Sequence, residues 1–506
     1  MDSMEKQPSL LGALSARDIA WVLVSIVLGF TVLAVSNIIY NLYLHPLAKY
    51  PGPAYACATS LSYWAIALTG DVVPWIQSIH TQYGPAVRIG PDKLSYISAE
   101  AWRDIYAPAS GARRSNPKDR THYVEEKYGI LAVRDDAAHA RLRRIFAPAF
   151  ADRSIRRQEP MVARYADRLV AAVRRDAEAA AAGGELDLCK LWTCATFDVM
   201  GQLTFGEPLG LLDRSEYTPW VKTVFGWNKA IDLARLQLEY PLLGLLAKYL
   251  TPRSLREMER SHAKHSSDRV DRRLELGSDE PDIWNLVLGA GEEGKGLARQ
   301  DMYVNAGVFM IAGTETSATL LSGLTWMLCT NPEKMGKLCA EVRGGFQSDG
   351  EMTVERLAKL PYLNACLEEG LRLYPPLPIG PPREVAEGGN VICGEWVPGG
   401  TRLSVAQFAA YRSPLNFKDP ESFVPERWLP GTGYENDKRD VLQPFSIGPR
   451  NCIGQNLAYY EMRIFLAKVL WNFDIKLCPQ SKDWLNQKSF ALWQKPPLWV
   501  KVAPVQ

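Results

Sequence analysis

Ten residues near the C-terminus constrain this chain more than any others: Phe445-Ser446-Ile447-Gly448-Pro449-Arg450-Asn451-Cys452-Ile453-Gly454. They place one cysteine in a tight loop just ahead of a helix, with glycine, arginine and phenylalanine at fixed offsets. A thiolate ligand to a heme iron needs this combination, because the sulfur must stay anionic beside a bulky macrocycle. Gly448 permits a tight turn, and Gly454 lets the next helix approach a porphyrin without a Cβ in the way. The start of that helix turns its amides and the positive end of its dipole toward the sulfur. Arg450 is placed to neutralise a heme propionate through charge-assisted hydrogen bonds. Phe445 is placed to cover the sulfur, exclude water and tune its donor strength. A lone cysteine is far more often a plain core residue; five specified positions in ten reverse that reading.

Phe445, Gly448, Arg450, Cys452 and Gly454 match the cysteine-loop signature of the cytochrome P450 family (F-x-x-G-x-R-x-C-x-G) at every fixed position, and further stretches resemble that family's motifs in its order. Ala312-Gly313-Thr314-Glu315-Thr316-Ser317 resembles the oxygen-activation motif (A/G-G-x-D/E-T-T/S). Activating dioxygen requires two protons delivered to its distal oxygen. The Thr316 hydroxyl suits the holding of a proton-supplying water, and the Glu315 carboxylate suits relay from solvent. Gly313 permits close approach and a local helix distortion. Glu369 and Arg372 stand at i, i+3 on one helix face, where they can pair. With Pro425-Glu426-Arg427-Trp428 they resemble the family's E-x-x-R helix and its partner motif. The resemblance implies a buried Glu369, Arg372 and Arg427 triad that locks the heme loop. His139-Ala140-Arg141-Leu142-Arg143 resembles the propionate-binding W-x-x-x-R helix, with histidine in place of tryptophan. Arg383, after Pro381-Pro382, matches a further propionate ligand.

Composition excludes other classes. The net charge is +2, so no global attraction to nucleic acid exists. Nine scattered cysteines with no C-x-x-C pair speak against a disulfide framework or zinc site and for a reducing compartment. No N-x-S/T sequon occurs, in agreement with a body that faces the cytosol. The run Gly289-Ala290-Gly291-Glu292-Glu293-Gly294-Lys295 imitates a phosphate-binding loop. Gly296 stands where Ser or Thr would hold magnesium, and two glutamates sit where phosphate would lie, so it reads as a plain loop.

From Ile19 to Tyr40 there is no charged residue, about the length of one bilayer crossing. The expected organisation is an N-terminal tail (1–18), a transmembrane anchor (19–40), a proline-rich linker (41–53) and a catalytic domain (54–506). The apolar stretch from Leu242 to Leu250 reads as core or as a second membrane contact. A helix is expected from His139 to Arg175; between Arg134 and Asp176 eleven arginines face six acids. That excess reads equally as a solvated face or as a docking surface for an acidic electron donor. Asp301 to Leu328 is apolar enough to span a membrane, but Glu315 and its hydroxyl neighbours make it a buried central helix instead.

The fold that the resemblance implies is mainly α with a small β portion, the cytochrome P450 fold, preceded by one transmembrane helix. It implies heme b (iron protoporphyrin IX) with Cys452 as axial ligand, and insertion of one oxygen atom from O2 into an organic substrate. Electrons would come from NADPH through NADPH-cytochrome P450 reductase, with cytochrome b5 as a second donor. The implied location is the endoplasmic reticulum membrane, single-pass, with the body on the cytosolic face. The chain looks most like filamentous fungal members that tailor polyketides, terpenoids and alkaloids. A heme-thiolate desaturase, ring-coupling enzyme or isomerase is the alternative; a membrane-tethered heme sensor or carrier is a third. On the central helix Asn305, Val308, Phe309 and Ala312 return toward the face of Thr316, which suits a bulky hydrophobic substrate. Asn305 reads either as a contact to a substrate oxygen or as a hydrogen bond to a neighbouring helix.

Overall fold

The computed structural model describes residues 15–505 apart from 112–113, 124–128, 181–184, 241–252, 278–280 and 289–296. Most of the N-terminal tail, the apolar stretch 242–250 and the phosphate-loop imitation 289–295 lie outside the described residues.

The chain enters through α1 (Ala16–Ile39). A capping box starts it: the Ser15 hydroxyl accepts from the Asp18 amide, and the Asp18 carboxylate accepts from the Ser15 amide at 3.0 Å. No residue of α1 is buried, yet its mean hydropathy with the following turn reaches 2.5, so the helix is long and apolar enough to cross a membrane. The stretch after it is sewn to the body. The Pro51 carbonyl accepts from the Arg88 amide at 2.8 Å, the Asn41 carbonyl accepts from the Arg88 guanidinium at 2.7 Å, and Leu47 is fully buried.

The body follows in chain order: α2 (Ser60–Leu68), the β1 (Ala86–Gly90) and β2 (Lys93–Tyr96) hairpin, α3 (Ala99–Tyr106), α4 (Asp136–Phe146), α5 (Asp152–Ala179) and β3 (Glu185–Asp187). Then come α6 (Leu188–Phe205), α7 (Pro219–Glu239), α8 (Arg253–Leu276), α9 (Arg299–Thr330), α10 (Pro332–Gly345) and α11 (Pro361–Leu373). The last part holds β4 (Arg383–Glu384), β5 (Arg402–Val405), α12 (Gln455–Asn472), β6 (Phe473–Leu477) and β7 (Trp499–Pro504). The larger sheet runs β1-β2-β5-β4, with β2 and β5 parallel and the outer pairs antiparallel; β3, β7 and β6 form a second, antiparallel sheet.

The core is built on α9, 32 residues and so ~48 Å long. It packs closely on α6, where Gly313 leaves room for Met200: a Cβ there would lie 2.6 Å from the thioether sulfur. That close approach is the structural role of Gly313, and α9 stays α-helical through it. The helix carries hydroxyls through the core because Thr314, Thr316, Ser322 and Thr325 each donate to the carbonyl four residues earlier.

The helix expected from His139 to Arg175 is two helices. Pro148, in the turn Ala147–Phe150, lacks the amide a continuous helix would need, and α4 ends before it.

Where α9 meets α12, Glu461 is buried with Oε1 unpartnered among the described residues; burial pushes its carboxyl up to about 8. The folded state therefore holds a proton that the unfolded chain releases above its ordinary value of 4.5. Stability contributed at this site falls as pH rises from about 4.5 to about 8. Glu461→Gln should gain stability over the parent across that window and show no gain below it, as read by thermal unfolding at about pH 4 and about pH 8.

Candidate active site

The cysteine loop is held by backbone geometry. Gly448 has φ +77°, and a Cβ there would lie 2.3 Å from the Tyr106 carbonyl oxygen, so only glycine serves. The Cys452 amide donates to the Phe445 carbonyl at 2.8 Å, closing the loop, and α12 begins with Gly454 as its N-cap. Phe445 packs against Tyr459 at 5.1 Å between ring centroids. Of the nine cysteines Cys452 alone is exposed, yet burial raises its thiol pKa. Both hold for a side chain that faces an internal cleft. The Gly454 backbone and the Arg143 guanidinium oppose that rise. A Cβ on Gly454 would touch nothing closer than the Phe150 ring at 3.9 Å, so protein packing makes no demand for glycine there.

Beneath the loop Glu369, Arg372 and Arg427 come together, all fully buried. Arg372 donates twice to Glu369 at 2.8 Å, and Arg427 donates to it at 3.0 Å. Trp428 and the Val424 amide complete five donors on one carboxylate. Asp437, which the sequence reading missed, pairs with the far side of Arg427. Two positive and two negative charges therefore balance.

Beside the cleft is a cluster of basic side chains. His139 is buried, and burial together with Arg450, Lys118, Arg143 and Arg383 pushes its imidazole down to about 4. Burial, Arg383 and Arg450 hold the buried Lys118 ammonium well below its ordinary value. Arg383 is buried, and its Nε has no hydrogen-bond partner among the described residues. Arg450 is occupied by Asp136 at 2.8 Å and by the carbonyls of Val133 and Arg134. Arg143 turns under the loop and donates to the Asn451 side chain at 2.7 Å and to its carbonyl. So Arg143 and Arg450 brace loop and cleft wall, whereas His139, Lys118 and Arg383 have no ion-pair partner among the described residues. A dianionic heme seated on Cys452 fits that donor set, with the orphaned Arg383 Nε as the specific opening for a propionate. Lys118 was also missed; it stands in no motif.

Across the cleft α9 presents Thr316, Ala312 and Val308 to a cavity of about 840 Å³. Two of the four expected substrate contacts lie elsewhere. Asn305 is fully buried, accepts from the Ile130 amide at 2.9 Å and donates to the Asp301 carbonyl at 2.7 Å. It clamps the turn Gly129–Leu131 onto α9 and does not line the cavity. Phe309 packs edge-on against Phe146 and Phe150, at 5.0 and 5.5 Å. The wall instead takes Val304, Gly307 and Ile311 from α9. Glu315 does not reach solvent: it is buried and held by Lys495 at 2.6 Å, and the same ammonium donates to Thr319 at 2.8 Å. Lys495 comes from the loop before β7, and nothing local in the sequence pairs it with Glu315.

Cys452→Ala should abolish the strongly red-shifted Soret band of reduced, CO-bound thiolate heme, measured in membranes from an expression host. Glu369→Ala strands two buried guanidinium groups, a cost of about 3–5 kcal/mol. It should purify heme-poor or aggregated, read as the heme-to-protein absorbance ratio, while a heme-replete variant with normal melting refutes the structural role.

Comparison with known proteins agrees with this geometry. The family model "Cytochrome P450" matches residues 73–502. The chain is 52% identical to the cytochrome P450 monooxygenase FUM2 of Gibberella moniliformis, over 91% of this chain and 98% of that one. It is 43% identical to the cytochrome P450 monooxygenase AMT3 of Alternaria alternata, over 92% and 95%. It is 39% identical to the averantin hydroxylase of Dothistroma septosporum, over 96% and 92%. A cysteine loop, a buried carboxylate–arginine lock and a hydroxyl-bearing helix across one cleft are thus matched by likeness along most of the sequence: the chain belongs to the cytochrome P450 family, as a monooxygenase.

Proposed function

We propose that this protein inserts one oxygen atom from O2 into a bulky, largely hydrophobic small molecule of secondary metabolism. Its anchor (19–40) and linker (41–53) would hold the catalytic domain (54–506) on the cytosolic face of the endoplasmic reticulum. The observation that carries the reading is the cavity of about 840 Å³ with Thr316, Ala312 and Val308 in its wall. Its volume suits a sizeable organic ligand. The names of FUM2 and averantin hydroxylase, monooxygenases of fungi, support the class of chemistry.

When bound, a cysteine-ligated heme supplies the electron-rich iron that activates oxygen. Cys452 would hold the iron through its sulfur, Phe445 would shield that sulfur, and Arg383, His139 and Lys118 would hold the propionates. Thr316 Oγ1, now donating to the Ala312 carbonyl at 2.7 Å, can rotate to hold a water in the cavity. Glu315 stands one residue earlier with Oε1 unpartnered among the described residues, so it has an acceptor site free for a proton. Lys495 holds that carboxylate in position through a contact of 2.6 Å. Electrons would arrive from NADPH-cytochrome P450 reductase, with cytochrome b5 as an accessory donor. Arg141 and Arg144 of α4 and Arg153, Arg156 and Arg157 of α5 are exposed, which supports a basic docking face for such partners.

Thr316→Ala should bind substrate near normally yet oxidise NADPH with release of peroxide in place of product. Product formed at full coupling would show that protons arrive by another route, and no NADPH-dependent oxygen uptake by the parent protein would refute the monooxygenase reading.

A further inference from the structure

The cavity wall is not uniformly apolar, and its charged groups are unequally satisfied. Lys93 donates to Glu239 at 2.8 Å and lies over the Tyr63 ring. Arg402 donates to Glu239, to Asp92 and to the Thr121 hydroxyl. Both cations are thus paired with Glu239. Arg235, on α7, differs. Its Nη1 donates to Asp232 at 3.1 Å, but its Nε is buried with no partner among the described residues. The open edge of a guanidinium, Nε with Nη2, is the edge that binds a carboxylate side-on with two parallel hydrogen bonds.

A second observation gives the sign of the local field. His122 lines the same cavity, and after burial the strongest influences on it are Arg235, Lys118, Lys93 and Arg402, all disfavouring a positive charge. Arg235 likewise favours the ionised form of Tyr123. On Tyr63, in the same wall, Asp232 is the stronger influence, so the positive field is confined to the side where Arg235 meets His122 and Tyr123. A neutral hydrocarbon would leave the Arg235 Nε desolvated and unpaired, and an ammonium would meet repulsion.

We infer that the open edge of Arg235 binds a carboxylate on the substrate, so that the ligand class is an amphipathic acid, apolar along α9 and anionic at α7. The inference rests on the reading of this cavity as the substrate site, and it names the polar group that site selects.

Equilibrium dialysis of the full-length holoprotein in nanodiscs, against empty nanodiscs, tests it with three labelled probes: dodecanoate, its methyl ester and dodecan-1-amine. The parent should bind dodecanoate at least about tenfold more tightly than the ester, the worth of one charge-assisted hydrogen bond to a buried group. Arg235→Met should lose that preference while binding the ester as before, and Arg235→Lys should recover part of it. An ester or amine bound as tightly as the acid, or an acid preference that survives Arg235→Met, overturns the inference. The CO-difference band of each sample keeps the two readings apart. An intact band without acid preference defeats this inference alone, and a missing band in the parent defeats the heme-thiolate reading whatever the dialysis gives.

Discussion

One buried carboxylate organises the side of the molecule on which the cysteine sits. Glu369 accepts five hydrogen bonds, and each guanidinium that binds it reaches onward to backbone carbonyls. Arg372 donates to the carbonyls of Tyr411, Pro420 and Ser422, and Arg427 to those of Lys418 and Asp419. The Tyr411 hydroxyl in turn accepts from the Gln443 amide at 3.0 Å, two residues before Phe445. A continuous chain of bonds therefore runs from α11 to the start of the cysteine loop. Desolvating four charges is costly, and the network is tolerable because every charged atom of Glu369, Arg372 and Arg427 has a partner. Its rigidity follows from the same fact: no member can move without stranding another.

The motifs that carry backbone demands were the most legible. Gly448 is glycine because of a positive φ and a carbonyl 2.3 Å from any Cβ, and such a demand shows as an invariant letter at a fixed offset. The Glu369–Arg372 spacing was legible because i, i+3 residues share a helix face. Partners brought in from afar were not. Asp437 and Lys118 sit in irregular segments, and Lys495 lies 180 residues beyond the Glu315 it holds.

The errors on α9 have a geometric cause. At about 100° per residue, Asn305 and Phe309 project within about 20° of Thr316, so periodicity alone groups them. Yet a face of a helix some 48 Å long need not keep one neighbour along its length. Near Thr316 that face looks into the cleft. One to three turns earlier it is covered by Phe146, Phe150 and the Gly129–Leu131 turn. The cavity follows a strip rotated to one side, through Val304, Val308 and Ile311, and meets the Thr316 line only at Ala312. Sequence gives the azimuth of a side chain but not what has been packed over it.

The two sides of the cleft also differ in how their polar groups are completed. The Glu369 network closes on itself, as a structural element must. In the cavity wall Arg235 Nε, His262 Nδ1 and Ser266 Oγ have no partners among the described residues. Each unpartnered buried group costs on the order of 1–3 kcal/mol. A wall that only needed to pack would be more stable with apolar side chains at those positions. Polar atoms left open on α7 and α8, facing the apolar strip of α9, make sense where a ligand completes them. If the cavity is the substrate site proposed above, α7 and α8 would recognise the polar group of the ligand and the apolar strip of α9 its hydrocarbon.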